Sequence, residues 1–171
     1  MQNYPYVVIT RAMLEEAERL IPQTKVERTV ASKIDTLTGH LGEFAFAQYI
    51  YNDWKKHRVG KNKGNTDFDA IEIKTSAFPL NEKLNLLVRE DYAKKRKPRH
   101  YVQIIIHVES DKAEAIPEST RAYLCGYPTG EEVDAAPLKD FGSKLADKGG
   151  YKCYYLPITG LKPVSELRLK V

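Results

Sequence analysis

Residues 66–76 read TDFDAIEIKTS, and in this stretch the polar Asp67, Glu72 and Lys74 interleave with the apolar Phe68, Ile71 and Ile73. Successive side chains of a strand point to opposite faces, so the pattern is that of a half-buried strand pair with two acids and a lysine on one face. If Asp69 and Ala70 form a two-residue hairpin loop, Phe68 pairs with Ile71 and Asp67 lies directly opposite Glu72, with Cβ atoms about 5 Å apart. That is carboxylate spacing for one divalent cation. Lys74 lies on the same face about 7 Å along the strand, within reach of a water or phosphate oxygen at that cation. Asp69 would sit in the turn, near neither partner, which ranks Asp67 above it. Ala70 resists the positive φ that a primed turn asks for, and a longer loop would change the pairing.

Working upstream, the spacing predicts a helix over about 35–54, with Leu37, Leu41, Phe44, Ala45 and Ala47 near one side and Phe46, Tyr49 and Ile50 widening the apolar surface. So wide a stripe belongs to a helix packed on a sheet. Glu43 falls at the edge of that surface, and His40 is one turn earlier on the same side. Alone, such a glutamate reads as an exposed edge residue. An earlier helix runs to about Ile21 with Thr10 as its N-cap.

Together these residues resemble the PD-(D/E)xK nuclease superfamily, whose members have restriction-endonuclease-like folds. Gly42-Glu43 on a helix, then Asp67, then Glu72-Ile73-Lys74 fill that family's pattern in order. The resemblance spans roughly residues 37–108. Two departures are visible: Thr66 stands where the family has proline, and the gap from Asp67 to Glu72 is short. The implied fold is α/β, a restriction-endonuclease-like core with a mixed central sheet flanked by helices (core about 35–108), carrying a C-terminal β-rich extension (about 118–171). The implied activity is Mg²⁺-dependent hydrolysis of DNA phosphodiester bonds, with Mn²⁺ as a substitute. Asp67 and Glu72 would hold the ion, with the Ile73 carbonyl as a third ligand by the resemblance. Lys74 would orient or help deprotonate the attacking water, and Glu43 would bind a second metal or position water. Hard oxygen ligands suit these cations, which lower the pKa of bound water and stabilise developing negative charge.

A chain of 171 residues is long enough for one compact core and short for two domains. The net charge of +4 is modest but unevenly spread. Lys55, Lys56, Arg58, Lys61 and Lys63 precede the aspartate, and Lys94, Lys95, Arg96, Lys97 and Arg99 form a second cluster. Either cluster alone reads as a solvated face. Flanking an acidic site, they suit a polyanionic substrate, with Lys61, Lys63, Lys94, Lys95, Arg96 and Lys97 as candidate phosphate contacts. No run of eighteen apolar residues exists, so no membrane span is expected. The opening MQNYPYVVITRAM lacks the basic and apolar regions of a secretory signal, giving an expected cytoplasmic location. Cys125 and Cys153 sit in strand-like stretches and read as free buried thiols.

The rest of the chain reads as a strand over 55–59, a GKNKGN loop, a strand over 84–88 and a short basic helix over 89–97 ending before Pro98. YVQIIIHV, over 101–108, is apolar enough for a central strand buried on both faces, with His107 a packed or strand-end histidine. Strands over 121–127 and 151–157 follow, with a capping box at Thr129-Gly-Glu-Glu132 between them. A non-catalytic nucleic-acid-binding module of the same fold is the rival reading, and a Glu72–Lys74 ion pair on a solvent face is a third. Cutting both strands of a duplex with one site per chain would take two chains, so a homodimer is expected.

Overall fold

The computed structural model of the protein describes residues 3–21, 30–58, 70–96, 98–110, 112–140 and 152–167. Its first sheet has the strand order β1 (Tyr6–Val8), β5 (Arg121–Gly126), β4 (His100–His107), β2 (Ile71–Phe78). β2 runs parallel to β4, and the other neighbours are antiparallel. A second, antiparallel sheet has the order β3 (Asn85–Arg89), β7 (Lys152–Pro157), β6 (Leu138–Asp140). The protein is therefore α/β with one mixed sheet and one antiparallel sheet.

Two helices cover one face of the first sheet. α1 (Arg11–Leu20) begins at Thr10, whose side chain accepts from the Met13 amide, as expected of that residue. α2 (Val30–Tyr51) starts earlier and stops earlier than its periodicity suggests. It stops because Asn52 turns into the left-handed region, φ 56°, its N–H closing on the Gln48 carbonyl at 3.0 Å. Residues 54–58 are a 3-10 turn, not the expected strand. That turn folds back on α2: the Phe44 ring lies 5.1 Å from Trp54 and 4.6 Å from His57. Met13, Ala17, Leu41, Phe44 and Phe46 pack on Ile71, Ile73, Val102, Ile104 and Ile106 in one core. Full burial of each large side chain is worth roughly 1.5–3 kcal/mol.

The helix approaches the strand closely at one point. A Cβ on Gly42 would lie 1.8 Å from Oγ1 of Thr75, so only glycine lets α2 lie this near β2.

The opposite face of the first sheet carries Tyr101, Ile105 and Cys125. Tyr101 packs with Leu86 and Val88 of β3, Ala93 of α3 (Glu90–Arg96) and Val133 of α4 (Gly130–Asp134). Ile105 and Cys125 pack with Ile158. β4 is thus buried on both faces, which is why its sequence shows no alternation. His107 stands at its exposed end, where Nδ1 accepts from the Leu80 amide at 3.0 Å. The capping box at Thr129 forms in full. Both cysteines are buried and free.

Of residues 66–76, those from Ala70 onward are described. Only Ile71–Phe78 is described as strand, and its partner is β4, which places Glu72 beside Tyr101 and Lys74 beside Gln103. The expected hairpin partner, including Asp67, Phe68 and Asp69, lies outside the described residues. Ala70, however, does adopt φ 65°. Its carbonyl accepts from the amides of Arg99 at 2.8 Å and His100 at 3.3 Å, and those two bonds hold the strained backbone in place.

Candidate functional site

The two-residue period of β2 divides its side chains between two environments. Ile71, Ile73 and Thr75 face α2, while Glu72, Lys74, Ser76 and Phe78 face the side occupied by the second sheet. Glu72 is only 6% exposed, because Tyr101 and the layer over it close above the start of the strand. A carboxylate so far from water requires a compensating positive charge or several donors. Lys74, two residues on, is half-buried and reaches the open part of the same face.

Gln103 fixes the backbone that carries the lysine. Its Nε2 donates to the Lys74 carbonyl at 3.1 Å and to the Ile104 carbonyl at 3.0 Å, and the residue is 2% exposed. The register with β5 shifts between Gln103 and Ile104, so the amide satisfies acceptors where the sheet's regular pattern breaks. The Lys74 ammonium lies 5.8 Å from the centroid of the Tyr92 ring. The Arg89 guanidinium is over the same ring at 4.9 Å, held by Asp91 through bonds of 3.2 and 3.1 Å. Burial raises the Cys153 thiol above its ordinary range, while the positive charges of Arg89 and Lys74 pull it down and Asp91 pushes it up. These charges therefore gather around one point between the sheets.

From Lys74 a cleft of about 430 Å³ runs along the meeting of β2 and β3, lined by Ser76, Phe78, Lys83, Asn85 and Gln103 among others. A larger cavity, about 600 Å³, opens beside the C-terminal half of β2, where Asp35 and Thr38 of α2 meet Lys112 and Glu114. Neither Glu72 nor Lys74 lines it. The smaller cleft is the one that adjoins the lysine.

The expected site residues are only partly brought together. Glu72 and Lys74 share a face as predicted. Ile73 directs its side chain into the helical core, so its backbone alone is available to the Glu72 side. Glu43 is half-buried on α2, in the layer on the other face of the sheet. Asp67, Lys61, Lys63 and Lys97 lie outside the described residues, as does the side chain of Arg96. Lys94 and Lys95 are exposed on α3, with Lys94 Nζ 3.8 Å from Glu90. Among the described residues no three His, Cys, Asp or Glu side chains gather as a metal-holding group. No described helix is long and apolar enough to cross a membrane.

Sequence reasoning missed Gln103, Arg89, Tyr92, Lys83 and Asn85, all of which reach the lysine through tertiary structure. In β3 the structure buries Leu86 and Val88 and exposes Asn85, Leu87 and Arg89, a division that the unbroken apolar run Leu86-Leu87-Val88 conceals in the sequence. Comparison with protein-family models, with characterised proteins and with solved structures finds no match.

Proposed function

We propose that the protein is a metal-dependent nuclease that hydrolyses DNA phosphodiester bonds on a restriction-endonuclease-like core. One observation supports this above the others: a nearly buried carboxylate, Glu72, and a lysine two residues later share one face of β2, and the lysine opens onto a cation-lined cleft. The buried oxygens of Glu72 suit a hard divalent cation. Asp67 and the Ile73 carbonyl are the further groups proposed to complete the donor set, while Glu43, on α2, is proposed to bind a second metal or position water. Mg²⁺ or Mn²⁺, when bound, would acidify water and neutralise charge on the scissile phosphate. Lys74 holds the attacking water and the phosphate oxygens through its ammonium protons. Gln103 keeps the Lys74 backbone in place, and Lys61, Lys63, Lys94, Lys95, Arg96 and Lys97 contact phosphates beyond the site.

Incubation of supercoiled plasmid and branched DNAs with Mg²⁺, Mn²⁺ or EDTA tests the reading. Wild type should cut only with metal, and Glu72→Gln and Lys74→Ala should lose at least about 100-fold in rate while keeping the wild-type circular dichroism spectrum. Cleavage by Lys74→Ala at the wild-type rate would overturn the mechanism. A non-catalytic nucleic-acid-binding module is the second reading, favoured by the cations and exposed apolar side chains at the cleft, which bind without chemistry. Salt-dependent DNA binding with no cleavage under any metal would establish it. A homodimer is proposed for double-strand breaks, and light scattering with and without DNA reads that state.

A further inference from the structure

The described residues expose six large hydrophobic side chains, and three of them, Phe78, Leu87 and Tyr92, stand around the lysine cleft. Phe78 is 39% exposed and Leu87 38%, and both line the cleft. Tyr92 is 40% exposed and lies beneath the Lys74 ammonium. Between them come Lys74, Lys83 and Asn85. Apolar and aromatic surface is therefore interleaved with positive charge and an amide along a single path, from the lysine to the end of β2.

We infer that this cleft binds single-stranded DNA, seating an unstacked base against Phe78 and Leu87 while Lys74 and Lys83 hold the adjoining phosphates. The inference deepens the nucleic-acid reading above and rests on it. Duplex DNA presents phosphates outward and keeps the faces of its bases stacked inside, so it offers no apolar face to cover Phe78 and Leu87, which would stay exposed to water. A single strand offers both a π-face and phosphates. The volume of about 430 Å³ lies within the ~300–1,000 Å³ range of pockets that enclose a small organic group, a size suited to a nucleotide and too confined for a duplex. Charge complementarity fixes the polymer's sign: the cleft's own ionisable residues, Lys74 and Lys83, are both basic. Asn85, at its wall, supplies donor and acceptor to a base edge without demanding one base.

Fluorescence anisotropy of fluorescein-labelled dT₁₂ and of a fluorescein-labelled blunt hairpin duplex, both in EDTA, tests this without cleavage. Wild type should bind dT₁₂ more tightly than the duplex. Phe78→Ala should weaken dT₁₂ binding roughly tenfold and leave duplex binding within about twofold, and Phe78→Trp should restore it. Lys83→Ala should weaken dT₁₂ and reduce the slope of log affinity against log salt by up to about 1. Equal binding of the two DNAs, or equal loss on both with Phe78→Ala, would overturn the inference. Failure of this inference and failure of the nuclease reading separate cleanly. Metal-dependent plasmid cutting with no single-strand preference removes only the former, whereas dT₁₂ binding through Phe78 with no cleavage under any metal removes only the latter.

Discussion

Gly42 is the residue through which one atom's absence sets the spacing of two layers. A methyl group there would overlap the Thr75 hydroxyl at 1.8 Å and stand 2.7 Å from the Thr75 Cβ, so rotating the threonine side chain alone does not clear it. Gly42→Ala would gain helix propensity of about 1 kcal/mol, yet overpacking of a close contact costs typically 1–3 kcal/mol and more when backbone must shift. The steric term wins, so urea denaturation should show Gly42→Ala less stable by about 1–3 kcal/mol. The origin of the loss is testable too: Gly42→Ala combined with Thr75→Gly should be less destabilised than the sum of the single changes, and simple additivity would show that the clash is not the cause. The sequence placed Gly42 next to Glu43 and gave it no role, because a glycine's partner across a layer has no local signature. Glu72 and Lys74 were legible for the opposite reason, since strand alternation assigns a face to each residue without any knowledge of the partner.

At the scale of elements, what was legible followed from strong local pattern. Thr10 and Thr129 cap their helices because the hydroxyl and the amide it accepts from are three residues apart, a relation fully contained in the sequence. The first strand of the hairpin expected over 66–76 lies outside the described residues, and alternation in any case states which residues share a face and not which strand lies alongside. β2 finds a parallel neighbour that begins at His100. His100 ties α4 and the C-terminal segment to that neighbour. Its ring lies 5.5 Å from Tyr127, and burial, then the charges of Lys162 and Arg99, hold its imidazole below the usual histidine range, opposed in part by Glu132. Lys162 donates to Glu132 at 2.8 Å, and that bond, with the Thr129 amide, holds the carboxyl below its ordinary range. Both folded-state values are depressed, so both groups contribute stability that is present above their unfolded values and lost as pH falls through the folded ones. The His100 loss begins below about 6.5 and the Glu132 loss below about 4.5. Thermal unfolding followed from pH 8 to 2 should therefore show Tm falling in two stages, and His100→Gln should remove the upper stage while leaving the lower. A variant that keeps the upper stage would place its origin elsewhere.

At the scale of the whole molecule, each of the two sheets is built by pairings that are long in sequence. Tyr6 pairs with Tyr123, and Asn85 pairs with Pro157. The strands beyond residue 118 are accordingly built into both sheets: β5 lies between β1 and β4, and β7 lies between β3 and β6. Composition and length indicated one core, and the alternation of each C-terminal strand was readable, but nothing local told where each would insert. This interleaving has a consequence in time. As the chain leaves the ribosome, α1, α2, β2 and β4 are all synthesised before the strand that separates β1 from β4 exists, so the apolar run of β4 must wait with one edge open. Loop closure over such separations precedes any gain from the contacts, which slows folding and prolongs exposure of unpaired edges. A chain ended after residue 117 should remain unfolded by amide hydrogen exchange and should aggregate, whereas the full chain should fold in a single slow phase. Protection of β4 amides in the shortened chain would show that the nascent N-terminal two-thirds can fold before the remainder arrives.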